Sequence, residues 1–278
     1  MTWRRRAGTV GRMVHRSGAR RLAVLVSLVL SVVVLGPGGA SAVSTPAISS
    51  LPVPSQSVVR NLVALGDSVS AGAVCGCVPF PQRTSILLRN RLGHTVVTHN
   101  DSVSGLTTAG LLHQLRTNPT VRAHVVAADV VLVTIGANDV QNNGSCHASY
   151  ACYIPALRAS SPLLEASIQM IFRLKSGHPV AIVLTGYWNV WRDGAVARTL
   201  GPAYVATSRA LTRAENWVIS SATRRHALIY VDLVVPFRGL DDTDDTALLA
   251  SDGDHPNVYG HARIAAVVDS ALHSRLPN

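Results

Sequence analysis

Short, continuous apolar runs alternate along this chain with longer stretches in which apolar residues return every three or four positions. The runs at 62–65, 95–98, 130–135, 180–184 and 228–231 are rich in Val and Ile. Runs of that length without polar alternation predict strands covered on both faces, as in a parallel sheet. Helical periodicity predicts helices over 81–92, 107–115, 155–175 and 201–224. A last helix is expected from about 256 to 272, with Pro256 in its first turn. Strand and helix in alternation require right-handed crossovers, so the fold class is α/β. The expected architecture is a three-layer α/β/α sandwich on a mainly parallel five-stranded sheet. Residues 142–153 have no apolar period and read as a surface excursion.

The amino-terminal pattern is different. Seven arginines and no acid precede residue 42, followed within that stretch by an apolar run over 22–35 and then by Ala40-Ser41-Ala42. A basic segment, an apolar segment and an A-x-A site predict a secretory signal peptide over 1–42, cleaved after Ala42. The apolar run is too short to span a bilayer, which needs roughly 20 such residues, so no stable membrane anchor is expected. Residues 43–59, rich in Ser and Pro, read as a flexible leader, and 60–278 as one domain.

Charge changes the picture less than its total suggests. The chain carries 25 Lys and Arg against 15 Asp and Glu, a net of +10. With the seven early arginines set aside, 18 bases face 15 acids, a net of +3. No basic cluster with interleaved aromatics remains, which argues against nucleic-acid binding. The four cysteines, Cys75, Cys77, Cys146 and Cys152, all lie in the part expected to be exported, where an even count favours disulfides. Three pairings are open. Cys75 with Cys77 and Cys146 with Cys152 is preferred because each pair is local. Zinc is a weaker alternative, since the usual C-x-x-C spacing is missing. A monomer without cofactor or metal is expected.

In a sheet of this kind the site lies at the carboxyl ends of the strands. Polar, glycine-bearing turns follow four of the predicted strands: Gly66-Asp67-Ser68, Asn100 to Gly105, Gly136-Ala137-Asn138-Asp139, and Asp252-Gly253-Asp254-His255. A serine hydroxyl needs a base to take its proton, and the base needs a third group to hold its tautomer. Ser68 suits the nucleophile, His255 the base and Asp252 its orienter. Asp254 is expected to be solvated or to cap the final helix. An oxyanion needs donors, and the Ser68 and Gly105 amides with the Asn138 side chain are the candidates. Gly105 would let the backbone approach the substrate without a Cβ in the way. Tyr187, Trp188 and Trp191 follow the fourth strand and would either line a substrate pocket or pack. The acidic run at 241–245 lacks the glycine and glutamate of a calcium loop and reads as a solvated loop.

These blocks resemble, in order, all four signatures of the SGNH, or GDSL, hydrolase superfamily, over about residues 60–272. The resemblance implies a flavodoxin-like α/β/α sandwich and a metal-free serine esterase or lipase acting on small-molecule or lipid esters. It places the nucleophile on Ser68, the base and its orienter on His255 and Asp252, and the oxyanion hole on Ser68, Gly105 and Asn138. A carbohydrate O-acetylesterase or an acyltransferase would share these residues. A non-catalytic binding protein on the same fold is the less favoured reading.

Overall fold

The structure is a computed structural model that describes residues 50–278. The signal-peptide segment, and the leader as far as residue 49, lie outside the described residues. Five strands form where the Val-rich and Ile-rich runs predict them: β1 (Asn61–Gly66), β2 (Val97–Asn100), β3 (Val130–Thr134), β4 (Ala181–Thr185) and β5 (Ile229–Val231). All pair in parallel in the order β2-β1-β3-β4-β5, with Val63 opposite His99 on one side and Val131 on the other. Every residue of β3 and β4 is buried, because helices cover both faces. The edge strand β2 departs from that expectation. It is shifted two residues onward from the predicted run, and Val97 is exposed.

The helices are α1 (Ser68–Ala71), α2 (Phe80–Leu92), α3 (Thr108–Thr117), α4 (Pro119–Ala127), α5 (Tyr150–Lys175), α6 (Gly194–Thr199), α7 (Pro202–Arg225), α8 (Val234–Arg238) and α9 (Val258–Arg275). Right-handed crossovers place α2 and α9, which pack together, on one face, and α3, α4, α5 and α7 on the other. The order reverses between β1 and β3, and in an open α/β sheet that reversal opens a crevice at the carboxyl ends of the two strands. None of the described helices is long and apolar enough to cross a membrane.

Three boundaries move. α5 begins at Tyr150, five residues before Pro155, so Cys152 and the buried Tyr153 belong to the helix and the surface excursion is shorter than expected. Pro256 does not start α9. The cap is Asn257, whose side chain accepts from the amides of Tyr259 and Gly260. Residues 50–59 of the expected flexible leader are tied to the domain. Pro52 accepts from the Val180 amide, Val59 is fully buried, and the Gln56 amide donates to the Pro277 carbonyl at 2.8 Å. The Gln56 side chain adds a bond to the Leu276 carbonyl.

Candidate active site

β1 leaves the sheet at Gly66, with φ +135°, so close to β3 that a Cβ there would collide with the Thr134 carbonyl. Only glycine allows that approach. The Asp67 amide then donates to the same carbonyl at 2.9 Å. Asp67 caps α1: one carboxylate oxygen accepts from the Val69 amide at 3.0 Å and the other from the Tyr187 hydroxyl. Ser68 is thereby the first residue of α1, where its own amide has no helical acceptor and is free to donate. Burial lifts the Asp67 carboxyl to about 6, although the bonds from Tyr187 and Val69 pull the other way. Burial and the neighbouring Asp67 push the Tyr187 hydroxyl up, so it remains a donor.

The turn ahead of α9 carries the second pair. His255 Nδ1 lies 2.6 Å from Asp252 Oδ2, while Asp252 Oδ1 accepts from the amides of Asp254 and His255. Burial raises the Asp252 carboxyl, but these three bonds outweigh it and hold the group below its usual value. The turn itself is pinned from two sides. Leu249 bridges Pro256 and Ala250 donates to the His255 carbonyl, while the Asp193 amide donates to the Gly253 carbonyl at 2.6 Å. Asp254 does not cap the final helix, because Asn257 does; it is half-buried at the cavity, where desolvation raises its carboxyl.

Asn138 sits in the 3-10 turn Ala137–Val140 after β3, and its side-chain amide donates to the Leu106 carbonyl at 2.9 Å. Asp139 accepts from both the amide and hydroxyl of Thr108, so this block is fastened to the start of α3. Gly105 lies in the exposed turn before α3 with φ +78°. A Cβ there would meet nothing within 4 Å, so its glycine answers to backbone conformation rather than to crowding.

Ser68, Asn138 and His255 line one cavity of about 50 Å³, together with Tyr187, Trp188 and Asp254. Gly105 is not among its lining residues. Of the aromatic candidates, Tyr187 and Trp188 reach this cavity, whereas Trp191 lines a neighbouring cleft of about 570 Å³. All three also pack. Trp188 stacks on Phe237 at 4.2 Å between ring centroids, and the Trp191 indole N–H donates to the Val140 carbonyl.

A family model for GDSL-like lipases and acylhydrolases matches residues 64–263. The chain belongs to this family. Membership makes it a carboxylic ester hydrolase. No curated protein sequence matches it. Among solved structures similar to this GDSL hydrolase, a lipase from a goat rumen metagenome shares 20% identity at a TM-score of 0.63. That match covers 78% of this chain and all of the other. An extracellular lipase from Streptomyces rimosus shares 22% identity at 0.59, covering 77% of this chain and all of the lipase. A mutant acetyl-xylooligosaccharide esterase from Geobacillus stearothermophilus shares 17% identity at 0.58, covering 82% and 99%. These likenesses show the fold.

Two features of this GDSL hydrolase escaped the sequence reading. Glu215 of α7 is fully buried beside Gly136, with neither carboxylate oxygen hydrogen-bonded among the described residues. Burial, reinforced by Asp139, lifts it to about 8. Its signal was present: an acid on the stripe Leu211, Glu215, Val218, Ile219, Ala222, where helical spacing demands apolar residues. The acidic run is also more than a solvated loop. Asp242 pairs with Arg209 and Arg238, Asp244 pairs with Arg198, and Asp245 is buried beside Asp193.

The structure pairs Cys75 with Cys77 and Cys146 with Cys152, at Cα separations of 5.1 and 5.7 Å. Cys75, Cys77 and the buried His261 also cluster at metal-ligand distances. With the two sulfurs joined to each other, that group supplies no thiolate to a zinc ion.

Proposed function

We propose that this GDSL hydrolase is a secreted serine esterase working through an acyl-enzyme. The observation that carries the reading is His255, held by Asp252 at 2.6 Å and lining the same small cavity as Ser68 and Asn138. Asp252 keeps the proton on His255 Nδ1 and leaves Nε2 as the base. Ser68 Oγ attacks the ester carbonyl carbon while His255 Nε2 takes the hydroxyl proton. The oxyanion is met by the Ser68 amide, by the Asn138 side chain and, on the family resemblance, by the Gly105 amide. Collapse of the intermediate expels the alcohol, which leaves with the proton from His255. Water then adds to the acyl-enzyme by the same route, releasing the acid and restoring Ser68. Export is supported by the signal-peptide pattern over 1–42 and by four cysteines joined as two disulfides. The likeness to an extracellular lipase agrees with it.

A fluorophosphonate should label the wild-type protein at Ser68 and leave Ser68→Ala unlabelled. Hydrolysis of p-nitrophenyl acetate should fall by a factor on the order of 10⁴ or more in that variant. Labelling at another residue, or retention of more than a few per cent activity, would overturn the assignment.

A further inference from the structure

Cys75 and Cys77 close a ring across the exposed Gly76, and both cysteines are themselves partly exposed. A cross-link stabilises by restricting the unfolded chain, and it does so least over a loop this short. The loop that carries it is also held closed at its neck by other means. Gly72 lies so near Pro79 that a Cβ on it would come within 2.6 Å of the proline ring, and the Ala73 amide donates to the Ser68 carbonyl at 3.0 Å. Val74, which leads into the ring, has φ +65°, a left-handed conformation that strains a β-branched residue. Stability therefore gives little account of this bond.

His261 of α9 supplies another. It is fully buried, and a nitrogen of its ring and the two sulfurs lie within 4.8 Å of one another. Nδ1 accepts from the Phe80 amide at 3.2 Å, so in the neutral ring the hydrogen sits on Nε2. Burial keeps the ring neutral by pulling it down to about 4, with Arg83 and His255 adding to the effect. Nε2 has no hydrogen-bond partner among the described residues. Two bonded sulfurs are weak acceptors for that N–H, whereas a thiolate would take a charge-assisted bond from it. Arg83, whose Nε donates to the Val78 carbonyl at 2.7 Å, sets a positive charge beside the same loop. A metal ion is not served, because coordination needs the lone pair that Nε2–H lacks. Among the described residues no histidine or carboxylate forms such a cluster with Cys146 and Cys152.

We propose that Cys75–Cys77 is a thiol-exchange site, opened by an external thiol while the His261 Nε2–H stabilises the departing thiolate. A thiolate RS⁻ attacks one sulfur, the S–S bond breaks, and its electron pair leaves on the other sulfur. A second RS⁻ frees the mixed disulfide, so two RSH become RSSR and the protein takes up two electrons and two protons. The test exposes the whole, disulfide-intact protein to glutathione buffers of graded ratio, traps free thiols with iodoacetamide and maps the peptides. Cys75 and Cys77 should be alkylated first, with Cys146–Cys152 as the internal reference. His261→Leu should slow their opening about 10-fold, the loss of one bond to a charged group. His261→Gln keeps an N–H donor and should restore most of the rate. In the reduced proteins, alkylation of Cys75 and Cys77 should rise at a pH about 1 unit higher in His261→Leu than in the wild type, which lost packing alone does not produce. Circular dichroism reports whether each variant folds; if His261→Leu does not, the order of opening in the wild type decides. Earlier opening of Cys146–Cys152, equal rates in the wild type and a folded His261→Leu, or a stoichiometric zinc ion held by the reduced protein would each overturn the proposal.

Discussion

Asn138 carries two amide hydrogens, and one is committed to the Leu106 carbonyl. In the proposed oxyanion hole that bond would fix the plane of the amide, so the second hydrogen would be aimed before any charge develops on the substrate. Asn138→Ala should lower kcat by about 10²–10³ with KM little changed, measured on p-nitrophenyl acetate. A rise in KM at constant kcat would make it a binding residue instead. Glu215 acts on stability. Its carboxyl moves from the ordinary 4.5 up to about 8 on folding. A group raised in the folded state stabilises fully below its unfolded value, and that contribution is lost as pH rises through the folded one. Each pKa unit is worth about 1.4 kcal/mol, so the effect is measurable. Glu215→Gln, which cannot ionise, should match the wild type near pH 4 and be the more stable protein by pH 8 in chemical denaturation. Equal pH slopes would refute this. The contact between Asp252 and His255 was legible because the two lie within four consecutive residues of one turn. The Tyr187–Asp67 bond joins residues 120 positions apart, and no local pattern could announce it.

At the scale of elements, the long helices were read correctly because 3.6-residue periodicity survives over many turns. The misses are short or terminal. α1, α4, α6 and α8 have nine residues or fewer, too few for a period to stand out. The chain's single lysine shows what tertiary structure adds. Lys175 ends α5 and is buried, and its ammonium donates to the carbonyls of Val126 and Ala128 at 2.8 and 2.6 Å. Those carbonyls belong to the carboxyl end of α4, where helical acceptors are left open. Composition alone gave this residue no role. Lys175→Met keeps the apolar stem and removes the donor, so it should cost about 1–3 kcal/mol in urea unfolding while kcat is retained. A neutral effect would mean that water serves those carbonyls equally well.

For the whole molecule, the layered architecture followed from alternation and crossover handedness, and the strand order places its reversal beside Ser68 and Asn138. The ion pairs of the acidic run were not legible, because Arg198, Arg209 and Arg238 lie on three separate helices. The clasp between Gln56 and residues 276–277 has a further consequence. The two ends of the described domain lie side by side, and the exposed turn at 176–179 enters β4 at the edge opposite the site. A circular permutant with Leu51 and Asn278 joined by a short glycine linker, and opened at Gly177, should fold and retain most of its esterase activity. Its loss should appear in melting temperature rather than in kcat, since the new termini would fray at the end of the molecule where no ester is bound.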